Sequence, residues 1–224
     1  SNTYMVGSFD GKKFTPETGK HYYVTGSIYA AQTFTNIPES DGRRIQLGWS
    51  RINHEGMPFN GMMLLPTELT LKTTKEGARV FSQPVKEANQ LFNSINKGTG
   101  LTEGDANEKL KAYQDSDKLR IKTTIKLSHA TSAGLSLNGQ KLLDYDMNFN
   151  LVNGVFYSPQ DMTSMEISAD IFIDRTSIEV FIDGGAYSYS MQRKLDPKNK
   201  EGLHFWGTNI TVKDLEVFSV KSIW

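Results

Sequence analysis

Two groups of carboxylates have the residue types and spacing for acid–base or nucleophilic work. Asp144 and Asp146 stand two residues apart in Lys141-Leu-Leu-Asp-Tyr-Asp146, a stretch that reads as a strand. Strand alternation would send both carboxylates to one face and Tyr145 to the other. A retaining glycosidase needs two carboxyls about 5–5.5 Å apart across the scissile bond, one nucleophilic and one acid/base. The plainer use of such a pair is at a solvated strand end or turn. Asp174, Glu179 and Asp183 form the second group, in Asp174-Arg-Thr-Ser-Ile-Glu-Val-Phe-Ile-Asp-Gly-Gly185. Asp174 and Asp183 sit where carboxylates accept neighbouring backbone N–H bonds in turns. Glu179, between Ile178 and Val180, is expected to face away from the core. None of these patterns is enough to assign a catalytic residue.

Tyr29 and Trp49 are the aromatic candidates. Each lies in a strand-like run flanked by small residues, Ser27–Phe34 and Arg43–Trp49. An aromatic face stacks on the apolar side of a sugar ring, and a tyrosine hydroxyl hydrogen-bonds a hydroxyl or carboxylate. Aromatics in strands also serve as core, and Trp206 and Trp224 are read that way, as sandwich packing and a terminal anchor. The four histidines, His21, His54, His129 and His204, show no paired ligand spacing, so neither a metal nor a cofactor is expected. Cysteine is absent, which removes thiol chemistry and disulfides and favours a bacterial or cytosolic origin. There is no Gly-x-Ser-x-Gly elbow, and Gly98-Thr-Gly100 lacks the Lys-Ser/Thr of a phosphate loop. With 25 basic and 25 acidic residues, no basic patch marks the chain as a nucleic-acid binder. No apolar run reaches the length of a membrane-spanning helix.

These candidates need strands to hold them. Residues 1–85 read as short strands joined by turns, from Tyr4–Phe9 with its Asp10-Gly11 turn to Ala78–Pro84. Residues 86–115 are more polar. Leu91, Phe92 and Ile95 fall at i, i+1 and i+4, which predicts a short amphipathic helix ended by Lys97-Gly-Thr-Gly100, with further helix over Glu108–Gln114. This stretch is read as a partly helical linker. Residues 116–224 return to strands, with an Asn138-Gly139 hairpin signal and a tight turn at Asp183-Gly-Gly185. The fold class is all-β, and an antiparallel sandwich is the natural reading of the second part. Spacing leaves a sandwich, a barrel or propeller blades open for the first.

Five segments in order resemble the invertase, levanase and inulinase family of glycoside hydrolases, family 32. They are Tyr4-Met-Val-Gly-Ser-Phe-Asp-Gly-Lys-Lys13, Ile28-Tyr-Ala-Ala-Gln-Thr-Phe34, Arg43-Arg-Ile-Gln-Leu-Gly-Trp49, Met62-Met-Leu-Leu-Pro-Thr-Glu-Leu69 and the Asp174–Gly185 hairpin. The resemblance implies the last blade, and part of the preceding one, of a five-bladed β-propeller over residues 1–85. It implies a β-sandwich over 116–224, with the helical linker over 86–115 between them. It places Tyr29 and Trp49 in the substrate pocket of a retaining enzyme acting on sucrose or on fructans such as levan and inulin. A polysaccharide-degrading parent would be bacterial and secreted, periplasmic or on the cell surface.

Only 26 residues precede Ser27, and the family's nucleophile, Arg-Asp-Pro and Glu-Cys segments have no counterpart here. The chain therefore reads as the back half of such an enzyme, expected to be inactive by itself. Ser27 stands where the family has an acidic residue, and Thr67 where it has an arginine. The alternative is a non-catalytic carbohydrate-binding sandwich. A propeller of one to two blades would leave strand edges and an apolar face open. The expected partners are thus a sucrose- or fructan-type carbohydrate and either the rest of the propeller or a second copy of the chain, with no nucleic acid and no membrane.

Overall fold

The structure is a computed structural model, and it describes residues 3–54, 56–128, 131–157, 165–194 and 198–221. His129 and Trp224 lie outside them. The chain is all-β, built on three main sheets with two small hairpin-like pairs near the N-terminus. The first main sheet runs Gly77–Pro84, Thr67–Thr74, Arg44–Ser50, Ile28–Thr33, all antiparallel, and Met62–Met63 also pairs with Arg44–Ser50. Ile28–Thr33 is its edge and is largely exposed.

The other two sheets face each other as a sandwich. A seven-stranded sheet is ordered Phe92–Thr102, Ile210–Val220, Leu119–Leu127, Glu166–Ile173, Ser177–Ile182, Tyr187–Gln192 and Val24–Gly26. A five-stranded sheet is ordered Val155–Phe156, Leu151–Val152, Gln140–Asp146, Ser132–Leu137 and Leu203–Trp206. Alternate residues of each strand point inward. Ile121, Ile125, Ile171, Ile178 and Val180 of one sheet thus meet Leu135, Leu143 and Phe205 of the other, all fully buried in one cluster. The helix Glu103–Leu110 adds Ala106 and Leu110 to it. Thr102 caps that helix, its hydroxyl accepting from the Asp105 N–H at 3.1 Å. The predicted hairpin forms at Asn138-Gly139, both with φ in the left-handed region, 47° and 73°.

The stretch expected as a linker differs. Lys86–Leu91 is a short 3-10 helix, and Phe92–Thr102 is not helical but an eleven-residue strand on the edge of the sandwich. Its register slips between Ser94 and Asn96, so Ile95 is an inserted residue. That bulge breaks strand alternation, and the resulting apolar spacing imitates a helix. The helix Glu103–Leu110 and the 3-10 turn Lys111–Tyr113 follow it.

The first sheet is docked onto the sandwich rather than tethered to it. Val24–Gly26 adds to the seven-stranded sheet as a parallel strand beside Tyr187–Gln192. Ser27 N–H donates to the Ser190 carbonyl at 2.8 Å. Gly26, at φ 84°, lies so close that a Cβ there would overlap the Ser190 carbonyl oxygen. Glu179 does turn away from the sandwich core, but it is 8 % exposed rather than solvent-facing, because the first sheet covers it. The Leu65 N–H donates to both carboxylate oxygens, at 3.1 and 3.2 Å. Gln83 Nε2 donates to the Gly184 carbonyl, and Thr25 shares a hydroxyl hydrogen bond with Tyr187.

Candidate functional site

Tyr29 is presented by a backbone irregularity. Ile28 pairs with Ser50 and Ala30 with Trp49, so Tyr29 is the extra residue of a β-bulge on the edge strand. A bulge re-aims its side chain relative to the pleat. Tyr29 is 53 % exposed and Trp49 38 %, and their ring centroids are 5.7 Å apart at 79°, edge to face. Both rings are therefore on the surface as a corner, not in the core. Trp49 also pairs in register with Met63, which is exposed beside it. Gly61, φ 75°, leaves room for the indole, since a Cβ there would come within 2.8 Å of the ring.

Arg51, not singled out from the sequence, completes the corner. Its guanidinium carbon sits 3.4 Å above the centre of the Tyr29 ring. The Arg51 N–H donates to the Ser27 carbonyl at 2.9 Å, which ties the two paired strands together at this end. One face of Tyr29 is thus taken by a cation. The signal that finds Arg51 is period two: it follows Trp49 by two residues and projects to the same side.

The carboxylate candidates do not join this corner, and each has work elsewhere. Asp144 is ion-paired with Lys141 at 2.8 Å. Asp146 accepts the N–H groups of Asn148 at 2.9 Å and Phe149 at 3.3 Å, as a turn residue does. Tyr145 between them is buried on the opposite face. Asp174 accepts the Arg175 N–H at 2.8 Å. Asp183, φ 46°, accepts from Ser168 N at 2.9 Å, Ser168 Oγ at 3.1 Å and Tyr157 Oη at 2.8 Å. Burial raises its pKa against the lowering effect of those bonds. Glu179 is raised furthest, to about 7, because burial outweighs the Leu65 N–H and the Asp174 charge adds to the rise.

The histidines are dispersed. His21 packs on the Tyr4 ring at 5.5 Å, and His54 Nδ1 is 2.7 Å from the Thr176 hydroxyl. His204 lies on the strand Leu203–Trp206, where Trp206 has the Lys141 ammonium 4.4 Å from its ring. Among the described residues no three His, Cys, Asp or Glu side chains converge to hold a metal ion.

Residues 1–84 match the model of the glycosyl hydrolases family 32 N-terminal domain. The levanase of Bacillus subtilis is 27 % identical over 255 residues, covering 99 % of this chain and 38 % of the relative. The sucrose-6-phosphate hydrolase of Zymomonas mobilis is 28 % identical over 230 residues, covering 91 % of this chain and 43 % of the relative. Among solved structures, exo-inulinase from Aspergillus awamori shares the fold at a TM-score of 0.72 and 18 % identity, across 99 % of this chain and 50 % of that one. A β-fructofuranosidase from Schwanniomyces occidentalis, solved with fructosyl-erythritol, gives 0.70 at 15 % identity, across 98 % and 53 %. The chain thus spans about half, or less, of the length of these relatives. The matched family domain in residues 1–84, relatives that align along nearly the whole chain, and the shared fold together support glycosyl hydrolase family 32 as this chain's family.

Proposed function

We propose that this chain is part of a glycoside hydrolase acting on sucrose or β-fructans, and that the Tyr29, Trp49 and Arg51 corner is one wall of its sugar pocket. The observation that carries this is the exposed aromatic corner, built by a bulge on a strand edge in the segment that matches the family domain. The corner supplies binding and orientation. An aromatic wall stacks the ring, and a guanidinium fork donates to hydroxyls. It supplies no acid and no nucleophile, since the candidate carboxylates Asp144, Asp146, Asp174, Glu179 and Asp183 are held in turns, an ion pair and the contact between sheets. In this reading the pair needed for retaining chemistry comes from propeller residues other than these 224. Three units divide the work in this reading: a partial propeller over 1–85, a short connection, and a sandwich whose edge strand begins at Phe92. The open edge Ile28–Thr33 and the apolar side chains near it are then covered by further propeller or by a second copy of the chain.

The test is fructose release from sucrose, inulin and levan. The 224-residue chain is expected to release none above the buffer rate. A chain extended to the length of its relatives is expected to release it, with Trp49→Ala lowering kcat/KM at least tenfold. Activity of the short chain, or an extended Trp49→Ala enzyme with unchanged kcat/KM, overturns the reading. A second reading, a carbohydrate-binding sandwich, is favoured by the open polar face of the seven-stranded sheet.

A further inference from the structure

The outward face of the seven-stranded sheet has two halves. Over Ser177–Ile182 the outward residues Ser177, Glu179 and Phe181 are all buried, and Glu179 and Phe181 lie against the first sheet. Over Phe92–Thr102, Ile210–Val220, Leu119–Leu127 and Glu166–Ile173 the outward Arg120 and Phe172 are buried beside Asn89 and Phe92, but Lys97, Thr99, Lys122 and Asp214 are exposed, and a groove of about 590 Å³ lies there. Gln83, Pro84 and Asn89 make its wall on the first-sheet side. The volume falls within the roughly 300–1,000 Å³ of small-molecule sites.

Strand register dictates what the floor presents. Lys97 pairs with Glu216, Glu216 with Lys122, and Lys122 with Asp170, giving one cross-strand row of alternating charge. Two residues along, Thr99 pairs with Asp214, Asp214 with Thr124, and Thr124 with Ser168, giving a second row of three hydroxyls around one carboxylate. Neighbouring strands are about 4.8 Å apart, so each four-strand row runs about 14 Å. Asp214 is exposed, and neither Asp214 nor Lys122 has an ion-pair partner among the described residues. By contrast Arg120 is fully engaged, with both Asp170 oxygens at 2.8 and 2.7 Å and Asn89 at 2.7 Å. Lys97 is likewise paired with Glu216 at 2.9 Å and Ser168 Oγ donates to Asp183, so Lys122, Asp214, Thr99 and Thr124 are the donors and acceptors left uncommitted along the floor.

The ligand class follows from this lining. Lys97, Arg120 and Lys122 balance Asp170, Asp214 and Glu216, so there is no net field to select an anion or a cation. Phe181, the one aromatic among the lining residues, is only 6 % exposed, so no apolar stripe is offered to an amphipathic helix. An extended run of hydroxyls, carboxylates and ammonium groups fits a neutral ligand that donates and accepts along its whole length. We propose that this groove binds a neutral oligosaccharide chain, at a site separate from the Tyr29 and Trp49 corner. The choice of fructans as its natural ligand rests on the function proposed above; the groove itself does not.

The experiment is calorimetric titration of the 224-residue chain with inulin-type and levan-type fructo-oligosaccharides and with cello-oligosaccharide. The variants are Asp214→Ala, Thr124→Ala and Trp49→Ala, with melting curves to verify folding. Expected is saturable fructo-oligosaccharide binding that weakens at least tenfold in Asp214→Ala and several-fold in Thr124→Ala, and persists in Trp49→Ala. Amide shifts on ligand addition should then fall on Thr99, Lys122, Thr124 and Asp214. Binding of cello-oligosaccharide alone, with the same dependence on Asp214, supports the groove and counts against the fructan function. Absence of binding by all three sugars, or binding abolished by Trp49→Ala and indifferent to Asp214→Ala, overturns the proposal.

Discussion

The sandwich and the first sheet handle apolar surface in opposite ways. Every member of the buried cluster comes from residues 106–217, where two sheets and a helix close over one core. The first 85 residues bury few apolar side chains, Ile52, Leu64 and Phe81 among them, while Tyr29, Phe34, Trp49, Met57, Phe59, Met63 and Leu71 stay exposed. A sheet that packs on itself needs nothing else to be stable, whereas a single blade-like sheet has two faces and only one neighbour. What holds the first sheet is a set of hydrogen bonds to the sandwich plus a parallel strand pair. The difference teaches where each role belongs. Stability resides in the sandwich, and the exposed aromatics that suit ligand contact are on the sheet that leans on it.

The largest effect should come from the sandwich core. Phe205 is fully buried between the sheets, so Phe205→Ala removes a ring and leaves a cavity, costing about 3–5 kcal/mol. Urea melts followed by far-ultraviolet dichroism should show both regions lost together at the lower midpoint. If the first sheet persisted after the sandwich had melted, its dependence on the sandwich would be refuted.

Glu179 tests the contact between the regions by pH. Its carboxyl is raised from 4.5 to about 7 by burial under the first sheet. Below pH 4.5 the group is protonated folded and unfolded, and its contribution is fully present. Between 4.5 and 7 the unfolded chain ionises first, so stability falls with rising pH, by about 3 kcal/mol in all at roughly 1.4 kcal/mol per pH unit. The cavity beside it is lined by Gln46, Thr67, Ser188 and Ser190 and by no cation to offset the charge, and the nearby Asp174 carboxylate adds to the rise. Glu179→Gln keeps an acceptor for the Leu65 N–H and cannot ionise. Thermal melts from pH 4.5 to 8 should therefore show the variant gaining on the parent as pH rises. Parallel curves would mean that Glu179 is ionised in the folded chain and that the contact is wetter than its 8 % exposure indicates.

How far the sequence could be read follows the same division. Local signals gave local structure: Asn138-Gly139 predicts its hairpin because both residues tolerate positive φ. Phe92–Thr102 was misread because one inserted residue, Ile95, shifts the apolar period, and only pairing with Ile210–Val220 reveals the strand. Alternation correctly turned Glu179 away from the core. It carried no information on what covers the outer face, since that depends on segments more than a hundred residues away. At the corner, motif resemblance points to Tyr29 and Trp49, yet the bulge that exposes Tyr29 is a property of register. The polar groove is likewise invisible along the chain, because its rows run across four strands.

The smallest effect is expected where the comparison predicts function without stability. Arg51 stacks on Tyr29 at 3.4 Å, but it is exposed, and such cation–π contacts are worth about 0.5–1 kcal/mol. Arg51→Ala should therefore lower stability by no more than about that much, with Phe205→Ala several times larger. Its effect on sugar should be the greater one, because the substitution removes the fork of donors and frees a face of Tyr29 at the same time. Arg51→Lys separates the two. A lysine keeps the charge and can still sit over the ring, but it lacks the planar fork. If the fork contacts sugar, the lysine variant of the extended enzyme should resemble the alanine variant in kcat/KM while matching the parent in melting temperature. If the stack only holds Tyr29 in place, lysine should restore both, and Arg51 would belong with the structural residues of the first sheet rather than with its ligand-facing corner.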